Sequence, residues 1–547
     1  MLTTPGGSFH DQAREGQRGH RSLPPDRNAI VDETGYGRGT ALTYSQLDAG
    51  SRDLSAGLHS LGLRRGDAIA LLLPNCTEWV LTFLAAARLG LLVVPLNTRY
   101  RSAELLHLLR VSSAKALVVA PTFESVDLAA RLTDVWAQRS DLDLRWLVPV
   151  HAETVPGAPS GLTTVPLDEL RSPTRAEPEP GGQPTDPVIV FGTSGTTSAP
   201  KLAVHTQETV ARHIPGVAST LPLTEQDVAL SVLPLNGTFG FVPFTAGLSA
   251  GTTQILLPVH DSDRAIQAIL RHDVTFMACA EGPLRELLAD PRIANGQARE
   301  LRRVVTAGVA IEDIVAAADE IDIRAANVYG SSELFAFAAT WDFDSPAHQR
   351  AVAGGRLVLP RSHVRAADTE TGHPLPDGAV GELQFRGPTL FTGYLANPDA
   401  TERALTPDGW YRSGDRGRTL PGRAFEYHSR LGDAMRLKGY LVNPADVESC
   451  LAGHPAVELA QLVGVRDPHT GDDQPVAFVR LRPGATAEPE DLLEHCRRSL
   501  ASFKVPSHIE VLAAFPTTPS ANGDKIRKDR LREMAAALLP PHHQEAT

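Results

Sequence analysis

Over residues 45–119 the chain alternates between helix-periodic apolar patterns and short apolar runs, and this rhythm constrains its fold more than any other feature. Segments 45–61, 78–89 and 102–111 place apolar residues three and four apart. Segments 68–73, 91–96 and 116–119 are brief and almost wholly apolar. The first pattern is that of an amphipathic helix and the second that of a strand buried on both faces. Strands of that kind, joined by helices, pair in parallel between helical layers. An α/β architecture is therefore expected. A second α/β unit follows over about 229–328, with strands near 254–257, 275–278 and 304–306.

With 547 residues the chain exceeds what one ordinary core can hold, so two or more domains are expected. The segment 151–187, rich in Pro, Gly, Thr and Glu, reads as a surface connection, and residues 1–25 as a loose arm. From about residue 378 the stretch Gly381-Glu382-Leu383-Gln384-Phe385-Arg386-Gly387 suggests a smaller β unit. Beyond 430 the rhythm changes again, with strands near 462–465 and 476–481 and helices at 488–499 and 528–538. The apolar stretch 79–96 is interrupted by Arg88, Gly90 and Pro95, and divides into a helix and a strand instead of crossing a membrane. A net charge of −12 argues against nucleic acid as a partner. Cys76, Cys279, Cys450 and Cys496 are far apart in sequence, with no spacing that suggests a metal site, as suits a reducing, cytoplasmic setting.

Three constellations carry the chemistry. The apolar run Val188-Ile189-Val190-Phe191 empties into Thr193-Ser194-Gly195-Thr196-Thr197-Ser198-Ala199-Pro200-Lys201. Glycine lets backbone N–H groups approach an oxyanion, hydroxyls add donors and lysine adds charge, so this loop is suited to phosphate. It lacks the Gly-Lys-Ser/Thr of a Walker loop. In Asn327-Val328-Tyr329-Gly330-Ser331-Ser332-Glu333 a glycine turn presents a carboxylate at a strand end, where α/β proteins build ligand sites. One carboxylate plus substrate phosphates is a common Mg²⁺ environment. In Trp410-Tyr411-Arg412-Ser413-Gly414-Asp415 an acid follows a glycine and can accept both hydroxyls of a ribose.

Together these segments resemble the adenylate-forming superfamily, which includes acyl- and aryl-CoA ligases, luciferases and peptide-synthetase adenylation domains; the resemblance spans about 26–538. It implies an adenylating domain at 26–430, made of two α/β subdomains with parallel-rich sheets plus a small β unit. A small mobile α+β domain at 431–547 would turn about a hinge near Gly432. It implies ATP with Mg²⁺, held by Thr193, Ser194, Gly195, Thr196, Thr197 and Lys201 at the phosphates. Asn327, Tyr329, Gly330 and Ser332 would lie at the base, Asp415 and Arg430 at the ribose, and Glu333 at the metal. Thr193, Glu333 and Lys525 are the expected catalytic residues. Lys525, in Pro519-Ser520-Ala521-Asn522-Gly523-Asp524-Lys525-Ile526-Arg527-Lys528, would reach the α-phosphate, with Lys528 as its rival.

Where many relatives of this kind carry a histidine after Leu-Pro-Leu, this chain has Leu233-Pro234-Leu235-Asn236-Gly237. Asn236, Gly237, Phe239, Gly308 and Phe335 are candidates for the acid's pocket. Lys438-Gly439-Tyr440 resembles the loop used in thioester formation, which makes coenzyme A the default acceptor and leaves a carrier protein open. An ATP-dependent diazotase using nitrite and an aryl amine is the alternative.

Overall fold

A computed structural model describes residues 3–4, 7–8, 23, 25–34, 41–123, 126–172, 178–179, 181–193, 201–258, 260–308, 311–431, 435–437, 440–442, 444–466, 473–500, 504–518 and 525–538. They fall into two compact units. One is drawn from Met1–His363 and Phe385–Tyr411, the other from Val364–Gln384, Arg412–Pro519 and Gly523–Thr547. Most of the expected arm at 1–25 lies outside the described residues.

The first unit contains a seven-stranded sheet in the order Thr163–Thr164, Trp146–Pro149, Ala114–Val119, Ala68–Leu72, Leu92–Pro95, Pro187–Thr193, Lys201–Thr206. Every neighbour is parallel except the last pair. Its second sheet runs Gly354–Leu357, Ala339–Thr340, Arg324–Tyr329, Arg303–Thr306, Phe276–Ala278, Val228–Ser231, Thr253–Leu256, Asn28–Asp32, Ala41–Thr43. The strands from Arg324–Tyr329 to Asn28–Asp32 are parallel, and the flanking pairs antiparallel.

Local chemistry explains the elements. Thr43 and Gln46 close a capping box at the start of helix Tyr44–Ser60. Helix Thr77–Leu89 is buried at every position, Arg88 included, and ends at Gly90 in the left-handed conformation. This is why the apolar stretch there is a core helix; no described helix is long and apolar enough to cross a membrane. Residues 151–172 of the expected surface connection are mostly exposed or half-buried, but four apolar side chains pin them down. Val155, Leu162, Leu167 and Leu170 are buried, and Thr163–Thr164 extends the sheet beside Trp146–Pro149. Helix Tyr44–Ser60 makes room at Gly57, where a Cβ would stand 2.1 Å from the Leu170 carbonyl. These anchors are single apolar residues scattered among prolines and glycines, so no periodicity announces them.

The second unit takes in strands His363–Ala367, Val380–Arg386, Tyr411–Leu420 and Ala424–Arg430 as neighbours in that order. Further along, Val457–Arg466 pairs antiparallel with Asp473–Leu481, which pairs in parallel with His508–Val511. Helices Pro444–Ala452 and Pro489–Ser499 close a core of Val447, Leu451, Leu462, Ala477, Val479, Leu492, Cys496 and Ile509.

Candidate active site

Val188, Ile189, Val190 and Phe191 are fully buried, and the strand they form ends at Thr193, paired across the ladder with Lys201. The hairpin thus brings together the two ends of the proposed phosphate loop; Ser194, Gly195, Thr196 and Thr197 lie outside the described residues. The Thr193 hydroxyl is buried and has no hydrogen-bond partner among the described residues. Lys201 Nζ lies 4.4 Å from the centroid of the Tyr394 ring. The Tyr394 hydroxyl in turn donates to Glu333 Oε1 at 2.7 Å, so Lys201 and Glu333 meet through one tyrosine.

Tyr394 is fixed by its own neighbours. Its N–H donates to Thr401 Oγ1 at 2.8 Å, and Val204 N–H donates to the Gly393 carbonyl at 3.0 Å. Gly393 has φ of 149°, and a Cβ there would approach Thr401 Cγ2 to 2.9 Å. Nothing in the local sequence around Tyr394 marks this contact, because its partner Glu333 lies 61 residues away.

The Glu333 segment leaves strand Arg324–Tyr329. The Tyr329 ring stacks on Phe385 at 5.6 Å and 23°. Gly330 is required, since a Cβ there would lie 2.6 Å from Ala336 Cα. Ser332 Oγ donates to the Gly192 carbonyl at 3.4 Å, next to Thr193, and the Ser332 carbonyl faces His205 Nε2 at 2.7 Å. His213 Nε2 lies 2.8 Å from the Ala336 carbonyl. Burial pushes the two imidazoles down, His205 to about 3 and His213 to about 4, so both are neutral at physiological pH. Neither histidine was singled out by the sequence. Each becomes legible only through a carbonyl more than a hundred residues away.

Asn327, expected near the base, is a brace: Nδ2 donates to the carbonyls of Gly308 at 2.8 Å and Ala351 at 2.9 Å, and Oδ1 accepts from Gly308 N–H at 3.3 Å. Of the expected pocket residues, Gly237 caps helix Thr238–Ala250, and Asn236 donates to the Leu96 carbonyl at 3.4 Å. Asn236 Oδ1 is buried without a partner among the described residues. Phe239 stacks on Phe337 at 5.3 Å. Phe335 is fully buried, with its ring 4.3 Å from His205 and 5.3 Å from His213, so it is a core residue and not a lining one. A small cleft between helix Thr238–Ala250 and the adjoining strand ends is lined by Ser231, Leu233, Gly240, Phe244 and Phe276 and by none of those five.

In the second unit Asp415 and Arg430 face each other in register, with Arg430 Nη1 donating to Asp415 Oδ1 and to the Ser413 carbonyl, both at 2.7 Å. Gly414 takes φ of 70°, the left-handed turn that presents the aspartate. Lys525 is exposed on the short strand Lys525–Ile526, whereas Lys528 Nζ lies 3.5 Å from Glu448 Oε1. Gly432, Lys438 and Gly439 lie outside the described residues.

Among the described residues no three His, Cys, Asp or Glu side chains gather around a metal-sized space. One buried carboxylate, steadied through Oε1 by Tyr394, fits a Mg²⁺ whose other ligands are phosphate oxygens and water.

Comparison with known proteins agrees with this geometry. The AMP-binding enzyme family matches residues 19–395, and the AMP-binding enzyme C-terminal domain matches residues 446–522. The chain is 27% identical over 506 residues to 4-coumarate–CoA ligase 4 of Arabidopsis thaliana, covering 90% of this chain and 86% of that one. It is 30% identical to a feruloyl-CoA synthase of Amycolatopsis, covering 90% of this chain and 94% of that one. The crystal structure of ATP-bound MatB from Rhodopseudomonas palustris superposes with a TM-score of 0.81 at 23% identity, over 96% of this chain and 98% of that one; at that identity the likeness concerns the fold.

Proposed function

Because the chain belongs to the AMP-binding enzyme family, and is thus an ATP-dependent, AMP-forming ligase, we propose that it joins an aromatic carboxylic acid to coenzyme A through an acyl-adenylate. The aromatic class follows the coumarate and feruloyl relatives. A carboxylate oxygen attacks the α-phosphorus of ATP and pyrophosphate leaves. The thiol of coenzyme A then attacks the acyl carbon and AMP leaves.

The contact that carries this assignment is Lys201–Tyr394–Glu333, beside the Thr193 hydroxyl, which has no partner among the described residues. In this reading Thr193, the 194–197 loop and Lys201 bind the β- and γ-phosphates. Lys525 stabilises charge at the α-phosphorus, and Tyr329 stacks on the adenine. Gly330 and Ser332 shape the turn below the base, and Asn327 braces that wall. Asp415 and Arg430 bind the ribose. Glu333 holds Mg²⁺, which when bound neutralises phosphate charge. Asn236, Gly237, Phe239 and Gly308 border the acid, and residues 431–547 turn about Gly432 between the two half-reactions. Fixed donors and cations of this kind act by matching the charge that builds up in the transition state.

Mass spectrometry of products from ATP, Mg²⁺ and a mixed panel of hydroxycinnamic, benzoic and aliphatic acids tests the proposal. Aryl-CoA with AMP is the expected result. Adenylates consumed only by a carrier protein, or AMP formation that requires nitrite and an aminoaryl acid, would replace it with a carrier-loading enzyme or a diazotase.

A further inference from the structure

Glu333 sits on a turn whose backbone opposes its own conformation. Phe335, Ala336 and Phe337 have φ of 61°, 49° and 42°, a left-handed region that L-residues other than Gly, Asn and Asp seldom visit. Three such residues in a row need support from outside. Within the turn, Ala336 N–H donates to the Ser331 carbonyl and Ala338 N–H to the Tyr329 carbonyl, both at 2.8 Å. Phe335 N–H also donates to the Ser332 carbonyl, at 3.3 Å, and from outside the turn the carbonyls of Ser332 and Ala336 are met by His205 Nε2 at 2.7 Å and His213 Nε2 at 2.8 Å. The Phe335 ring is held against both imidazoles.

A carbonyl can only accept, so Nε2 carries the proton on each ring. Both Nδ1 atoms are then buried acceptors, and neither has a partner among the described residues. An unmet buried acceptor is destabilising, and a phenylalanine or leucine would fill the space without it. The feature that sets histidine apart here is the Nε2–H donor. His205 also belongs to strand Lys201–Thr206, whose first residue covers Tyr394, the partner of Glu333.

We propose that His205 and His213 are positioning residues: their Nε2–H groups hold the Ser332 and Ala336 carbonyls, keep the 335–337 turn wound in its left-handed form, and thereby fix the Glu333 carboxylate for the metal–nucleotide complex. This rests on the assignment of Glu333 to the metal.

The test uses the full chain and two readouts other than turnover. One is hydrogen–deuterium exchange at the Ala336 and Ala338 amides. The other is Mn²⁺ affinity, followed by electron paramagnetic resonance with a non-hydrolysable ATP analogue. His205→Leu and His213→Leu should each speed exchange and weaken Mn²⁺ binding by about 10-fold, the scale of one hydrogen bond. His205→Gln and His213→Gln, which keep an N–H of similar reach, should return both to near wild type. Unchanged exchange in the leucine variants overturns the clamp. If those variants do not fold, a 10-fold loss in the glutamine variants overturns it equally. Glu333→Gln separates the two ideas: it should lose Mn²⁺ affinity with exchange unaltered. Retained affinity there would overturn the metal assignment alone, leaving the clamp to be judged on exchange.

Discussion

Lys525 and Lys528 are three positions apart, and their surroundings differ. Lys528 is paired with Glu448 on helix Pro444–Ala452, while Lys525 is exposed at the start of its strand. Lys525 is the expected donor to the α-phosphate, so Lys525→Ala is expected to slow adenylate formation by about 10²–10³, the loss typical of one transition-state donor. Lys528→Ala should change it by no more than about 3-fold, in line with the small worth of such an ion pair. Pyrophosphate exchange with the acid substrate measures both, and the reverse order of losses would exchange their roles. The same scale shows what a motif can hide. Glu333 was legible because it ends a glycine turn, whereas Tyr394 was not, because a tyrosine in a loop has no meaning until its hydroxyl reaches that carboxylate.

At the scale of elements, strand Lys201–Thr206 and helix Gln207–Thr220 each contribute one buried neutral imidazole. An unfolded histidine titrates near 6.5, so below that pH the unfolded chain takes up protons that the folded chain refuses until about pH 4 for His213 and about pH 3 for His205. Stability therefore falls as the solution is acidified from pH 7 to 5, by up to about 2 kcal/mol per histidine at the lower end. The melting temperature of the wild type should drop more steeply over that range than that of a His205→Gln, His213→Gln double variant. Parallel curves would show that neither imidazole is held neutral. Strands and helices themselves were largely legible: the expected 68–73, 78–89 and 102–111 appear as Ala68–Leu72, Thr77–Leu89 and Ser102–Ser112. Their signals are local periodicities. The anchors of residues 151–172 and the contacts of the two histidines were not legible, since each depends on partners supplied by distant chain.

For the whole molecule, the two α/β halves of the first unit and the change of rhythm beyond residue 430 were visible in the alternation of apolar patterns. The second unit also gathers residues 364–384 and 412–430; the stretch 381–387 suggested a small β unit there, but one grouped with 26–430. If residues 431–547 turn about Gly432, removing the freedom of that glycine should separate the half-reactions. Gly432→Pro is expected to retain pyrophosphate exchange within about 10-fold while thioester formation falls by about 10² or more, a split expected when only a conformational step is blocked. Equal loss of both would place the hinge elsewhere.

Helix Thr77–Leu89 bears on how such a chain is made. Its Trp79 and Phe83 pack against Phe241, at 5.9 and 4.9 Å between ring centroids. A ribosome adding about 5–20 residues per second needs roughly 8–30 seconds to travel from Leu89 to Phe241. Throughout that interval the nascent protein displays the Trp79 and Phe83 face of that helix without the aromatic ring that later covers it, a natural landing place for a chaperone.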